Sequence, residues 1–134
     1  MTLLKTGLKT HYANPNGGST ISISVGQFVH LGTGVVFGKD VVIGDMAIIK
    51  YGAIVGNNVR IGIGTMIKEL TTIGDNCVIE NDVAIGRMVR IGNGSKIGSL
   101  SEIGEHAQIG SGVKLPEKSI ILPYQRVGMD KTIA

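Results

Sequence analysis

The sequence predicts an all-β fold, a single-stranded parallel β-helix of about six triangular coils of eighteen residues each. Three observations predict it. A large apolar residue recurs at every sixth position, without a slip, through Val25, Leu31, Phe37, Ile43 and onward to Ile121 and Val127. The residue after it is glycine in thirteen of these eighteen repeats, as at Gly26, Gly44 and Gly98. Two further columns follow the same step: a small residue at the fifth position (Val29, Ala47, Cys77, Ser95) and a turn former at the fourth (Gly34, Asp40, Asn58, Gly94).

A period of six suits neither the 3.6-residue turn of an α-helix nor a meander with variable turns. The fifth residue of one repeat and the first of the next are two apart, so both point to one face of a short strand. The residue between them points outward. Gly, Asn and Asp at the fourth position tolerate positive φ and mark a tight corner, so Val at Gly64 or Gly94 should be harmful. Three strands and three corners close an eighteen-residue coil. Six coils at about 4.8 Å each stand roughly 29 Å tall.

The expected organisation is an N-terminal segment and cap over residues 1–24, the β-helix over 25–127 and a tail over 128–134. Asn14-Pro15-Asn16-Gly17-Gly18 reads as a turn, and Thr20 to Ser24 as an imperfect start to the first coil. These two ends are the material at hand to cover the terminal strand edges.

Hydrophobic residues make up 43% of the chain and charged ones 17%, with Ile and Val leading, which favours strands over helices. A formal charge of +3 with no basic cluster argues against nucleic acid. No apolar run approaches the length of a membrane-spanning helix, and the N-terminus lacks a secretory pattern. Cys77 is the sole cysteine, which excludes an internal disulfide and suits a reducing, cytoplasmic setting.

The repeats resemble those of the hexapeptide-repeat transferase family, over Val25 to about Val127. The resemblance implies a left-handed coil, a hand that periodicity does not supply and that runs against the usual crossover rule. It further implies a parallel homotrimer, CoA-dependent acyl transfer (acetyl-CoA or another acyl-CoA) to an unknown acceptor, and a cofactor groove between prisms. Two departures stand out. The register never slips, so no loop interrupts the coils, and no Gly-x-Pro-Ala segment follows them. No nucleotidyltransferase domain accompanies the repeats, so a bifunctional sugar-nucleotide enzyme is not expected.

Steps of eighteen sort the outward residues into three sides. Side A carries His30, Ile48, Met66, Ala84, Glu102 and Ile120; side B carries Val36, Ile54, Thr72, Arg90, Gln108 and Arg126. Side C carries Val42, Arg60, Val78, Lys96, Lys114 and Thr132. The corner between A and B reads Gly34, Gly52, Leu70, Met88, His106 and Tyr124. Ile48, Met66, Leu70 and Met88 form an outward apolar patch, expected to be the subunit interface.

Acyl transfer needs a general base, and imidazole suits neutral pH. His106 is the first candidate, with Glu102 and Glu105 at hand to orient it; His30 is second, and His11, before the repeats, third. Lys96, Lys114 and Arg126 are the candidate phosphate partners of CoA. A catalytically silent trimeric assembly module is the alternative. A γ-class carbonic anhydrase reading is disfavoured, because His30 and His106 lie more than four coils apart and no H-x4-H spacing exists. Gly38-Lys39 lacks the strand and helix of a phosphate-binding loop.

Overall fold

A computed structural model describes residues 2–3, 8–15 and 20–128 of the chain. Thr132, Asn16, Gly17, Gly18 and the tail beyond Gly128 lie outside the described residues. The rest is the left-handed parallel β-helix: short strands, mostly of two residues, recur every six residues and stack into three sheets. Parallel pairs join residues eighteen apart, as Ile67 with Ile85 on side A, Ile73 with Ile91 on side B and Ile79 with Ile97 on side C.

The inward columns are the core. Ile49, Ile67, Ile85 and Ile97 are fully buried, and the fifth-position residues Val35, Ala47, Ala53, Val59 and Ala107 fill the narrowing corners beside them. At the lower end the side chains preceding the coils complete the packing. β1 (Thr2–Leu3) pairs antiparallel with β4 (Val29–Leu31), and β2 (Leu8–Ala13) pairs antiparallel with β3 (Thr20–Val25). β3 in turn joins side C in parallel, with Ile23 opposite Val41. Tyr12 packs edge-on against Phe37, their ring centroids 5.0 Å apart, and its hydroxyl donates to the Val35 carbonyl at 2.6 Å. Asn14 imitates a strand beneath side B, its amide donating to the Phe37 carbonyl at 3.0 Å and its oxygen accepting from the Phe37 N–H at 2.9 Å. The lowest coil strand of each side therefore has a partner, with β1 and β2 becoming the outermost strands of their sheets.

Polar groups inside the prism have a specific task. Thr65, Thr71, Ser95 and Ser101 are buried, yet each hydroxyl joins two backbone groups of the coil above. Thr65 donates to the Glu80 carbonyl at 2.6 Å and accepts from the Val83 N–H at 3.2 Å. Thr71, Ser95 and Ser101 repeat that pattern. Thr65→Val keeps the shape but strips partners from two buried backbone groups, so a loss of about 1–3 kcal/mol is expected. Thermal unfolding with Thr65→Ser as the comparison checks it: Ser should retain most of the stability.

The fourth-position corners go beyond the sequence expectation. Asp40, Asn58, Asn76, Asp82 and the glycines there all have positive φ, as anticipated. So do Phe28, Met46, Leu70, Met88, Leu100, His106, Lys118 and Tyr124, at φ between 56° and 65°. An L-residue with a bulky side chain is strained there by about 1–2 kcal/mol. Their distribution is uneven. The corner between B and C carries only Asp40, Asn58, Asn76, Gly94 and Gly112, whereas every strained bulky residue stands on one of the two corners bordering side A. The corner between C and A reads Phe28, Met46, Gly64, Asp82, Leu100 and Lys118 from bottom to top.

Candidate functional site

The corner between A and B is built by a backbone ladder. The N–H of each fourth-position residue donates to the third-position carbonyl one coil below: Met88 to Glu69 at 2.9 Å, His106 to Arg87 at 3.0 Å and Tyr124 to Glu105 at 2.9 Å. Repetition of one conformation stacks their side chains in a column along the ridge. The imidazole of His106 lies flat against the Tyr124 ring, with centroids 4.7 Å apart and planes 3° from parallel. This contact leaves His106 half-buried and fixes the plane of its ring.

Beside the ridge, side A bears a shallow groove. Ala84, Gly86 and Gly104 form its floor, Ile120, Leu122 and Pro123 its upper wall, with Lys68, Arg87, Glu102 and Glu105 as its charged groups. Glu105 faces Arg87, with Nε and Oε1 3.6 Å apart, so its carboxylate is engaged by the guanidinium. Both side chains are exposed, and the pair adds little stability. Within the chain, the contact on the His106 ring is the Tyr124 ring above it.

His30 is exposed on side A and lines a separate depression with Ile48, Lys50, Tyr51 and Glu69. It lies four strand steps below Glu102 in the same sheet, so the fold does not bring His30 and His106 together. Among the described residues no three His, Cys, Asp or Glu side chains converge on a metal position, which leaves the carbonic anhydrase reading without support. His11 lies on β2 opposite Ser22. Two lysines one coil apart, Lys50 and Lys68, were a missed signal: both replace the usual second-position glycine and both line side A depressions.

The candidate phosphate partners divide between two sides. Lys96 and Lys114 are register neighbours on side C, sharing a groove with Glu80, Pro116 and Glu117, and Lys96 Nζ is 3.4 Å from Glu80 Oε2. Arg126 pairs with Gln108 on side B, so one chain does not unite all three cations. Among the patch residues, Ile48 and Met66 are half-buried while Leu70 and Met88 stand exposed. Cys77 is buried, its thiol donating to the Gly92 carbonyl at 3.1 Å, and burial raises its pKa, so it stays a protonated thiol at neutral pH. No helix among the described residues is long and apolar enough to cross a membrane.

Comparison with known proteins places this geometry. The family described as "Hexapeptide repeat of succinyl-transferase" matches residues 36–69 and 71–87. A search of curated proteins returned no match. Among solved structures, the acetyltransferase domain of PglB from Neisseria gonorrhoeae is similar over 81% of this chain and 53% of its own, with TM-score 0.74 and 17% identity. A variant of GDP-perosamine N-acetyl transferase from Caulobacter crescentus, in complex with CoA and GDP-perosamine, is similar over 81% of this chain and 57% of its own, with TM-score 0.56 and 16% identity. A hexapeptide transferase family protein from Anaplasma phagocytophilum covers 81% of this chain and 75% of its own, with TM-score 0.56 and 22% identity. The chain thus spans little more than half the length of the first of these relatives. By its coil the chain has the left-handed β-helix fold of these structures, and residues 36–69 and 71–87 carry the matched hexapeptide repeats, without a close match to any single member.

Proposed function

We propose that the chain is the β-helical part of a CoA-dependent acyltransferase that works as a parallel homotrimer, with His106 as general base. The observation that carries this reading is the His106–Tyr124 stack on a ridge beside the side A groove. An imidazole held in a fixed plane, half-open to solvent, is suited to take a proton from an acceptor hydroxyl or amine at a ring nitrogen. Glu102 and Arg87–Glu105 line the groove beside it and supply polar contacts for an acceptor. The acetyl-CoA and CoA complexes of the related folds favour acyl-CoA as donor.

The donor set fits a polyanion in part. Lys96 and Lys114 stand side by side on adjacent strands, where a phosphate would compete with Glu80 for Lys96. Arg126, on the neighbouring side, would serve a different phosphate or a different subunit's site. When bound, acyl-CoA supplies an acyl group activated as a thioester. His106 holds the acceptor's proton during transfer, Tyr124 keeps the ring from turning away, and His30, far down the prism, takes no part.

Calorimetric titration with acetyl-CoA, followed by acyl-transfer assays on the wild type and His106→Ala, tests the proposal. Wild type should bind acetyl-CoA. His106→Ala should bind it equally while losing about 10²–10⁴-fold in transfer rate. No binding heat and no thermal shift with acetyl-CoA would overturn the enzyme reading and leave the prism as an assembly module.

A further inference from the structure

Wherever Asn or Asp stands at the third position of a repeat, its Oδ1 accepts from the third-position N–H one coil below. Gln27 donates in this way to Asp45 at 2.9 Å, and Lys39 to Asn57, Ile63 to Asn81 and Asp75 to Asn93 at 2.8 Å. The corner between A and B has no Asn or Asp at that position. Among the described residues, the Thr33, Tyr51 and Glu69 N–H groups on it therefore meet no acceptor. Glu69 stands above Tyr51 and carries oxygens, but it does not close the Tyr51 N–H as a shorter acid would.

This stretch of corner borders the lower depression of side A, about 350 Å³ in volume, where His30, Ile48, Lys50, Tyr51 and Glu69 meet. Small-molecule sites usually measure roughly 300–1,000 Å³, so there is room for one small ligand. Lys50 and Glu69 are both half-buried, on successive coils and opposite in charge, yet they form no ion pair. On side C the comparable Lys96 and Glu80 do meet, at 3.4 Å. An ammonium and a carboxylate kept apart across one hollow, beside an open N–H, match a molecule that carries both charges. We infer that this depression binds a free α-amino acid with an apolar side chain. The ligand's carboxylate lies against the Lys50 ammonium and accepts from the Tyr51 N–H, and its ammonium meets the Glu69 carboxylate. Its side chain rests on Ile48 and on the Tyr51 ring, which is 57% exposed. Glycine at position 34 gives that ring room to lean down, with Cε1 4.0 Å from where a Gly34 Cβ would stand. All of these groups belong to one chain and lie far below His106, so the site holds whether or not the chain transfers acyl groups.

Saturation-transfer NMR and calorimetric titration of the full chain with L-leucine test this. Leucine should bind with a dissociation constant on the order of 1 mM, the scale fitting so small a contact. N-acetyl-leucine lacks the ammonium and leucinamide lacks the carboxylate. Each should bind roughly tenfold more weakly or worse, the share of one charge-assisted hydrogen bond. Lys50→Gln and Glu69→Gln should each weaken leucine by a similar factor while melting as the wild type does. The losses should also cross-match: Lys50→Gln should distinguish leucine from leucinamide poorly, and Glu69→Gln should distinguish leucine from N-acetyl-leucine poorly. His106→Ala should bind leucine as the wild type does. A leucine signal absent from the wild type overturns the inference. So does N-acetyl-leucine binding as tightly as leucine, which would mark a site for anions only. Leucine binding unchanged in both glutamine variants overturns it too, by moving the site elsewhere.

Discussion

Ile73→Asp is expected to abolish the cooperative unfolding transition at ordinary temperature. Ile73 is 1% exposed and lies on side B between Val55 below and Ile91 above, with the inward residues of the other two sides closing the section. A carboxylate there has no cation and no spare donor, because the neighbouring backbone groups already serve the ladder: Gly56 N–H to Ile73 O at 2.9 Å and Gly74 N–H to Ile91 O at 2.8 Å. The penalty for an unpaired buried charge is several kcal/mol, and protonation recovers only part of it. Typical domains hold about 5–15 kcal/mol in all, so one such substitution removes most or all of that margin. Coils depend on their immediate neighbours, and a break in the middle separates the prism into two short stacks. Thr72→Asp, one residue away and facing outward, should shift the midpoint little. Far-ultraviolet circular dichroism against temperature separates the two, and a midpoint for Ile73→Asp close to that of wild type contradicts the inward column.

The coil was legible because burial acts on a fixed period. Ile61, Ile79 and Ile97 lie at equal spacing in sequence and one above another in the same sheet, so periodicity alone gave their direction. Outward residues obey no such constraint, which explains why the site was harder to read. The column Leu70, Met88, His106, Tyr124 could be assembled from steps of eighteen, but the ring stack required the left-handed corner that aligns both side chains. Glu105 was expected near His106 from its adjacency in sequence. Residues eighteen apart also stack across coils, which is how Arg87 comes to face Glu105. The same rule explains Thr65 and Ser95: small polar residues in an apolar column looked like simple space fillers, whereas their hydroxyls serve backbone groups fifteen and eighteen residues on. Corner turn formers were readable where Gly, Asn or Asp stands. Phe28, Met46 and Leu100 were not, because local propensity opposes the conformation that the coil imposes on them.

Glycines at the second position were visible as a column, but their physical reason was not, and it sets the second large effect. Gly92→Ala is expected to cost about 2–3 kcal/mol, more than Gly94→Ala two residues later. A Cβ at Gly92 would lie 2.5 Å from Ser111 N, 2.7 Å from Gly110 C and 2.8 Å from Ser111 Cα, all backbone of the coil above. Backbone cannot rotate aside as a side chain does, so the corner must lift and strain the bond from Gly92 N–H to Ile109 O at 2.8 Å. Gly94 has the opposite profile, with open space around its Cβ position and φ of 72°. Ala there meets only the left-handed penalty of about 1–2 kcal/mol, reduced by the lower entropy of the unfolded chain. Lys50, Lys68, Glu80, Pro116 and Leu122 occupy the second position in other repeats, so a coil built around a side chain is feasible. At Gly92 the coil above has already closed onto that volume, and a single substitution does not reopen it. Urea unfolding of the two alanine variants should rank Gly92→Ala clearly below Gly94→Ala; the reverse order would mean that positive φ, and not the approach of neighbouring coils, is what selects glycine in this prism.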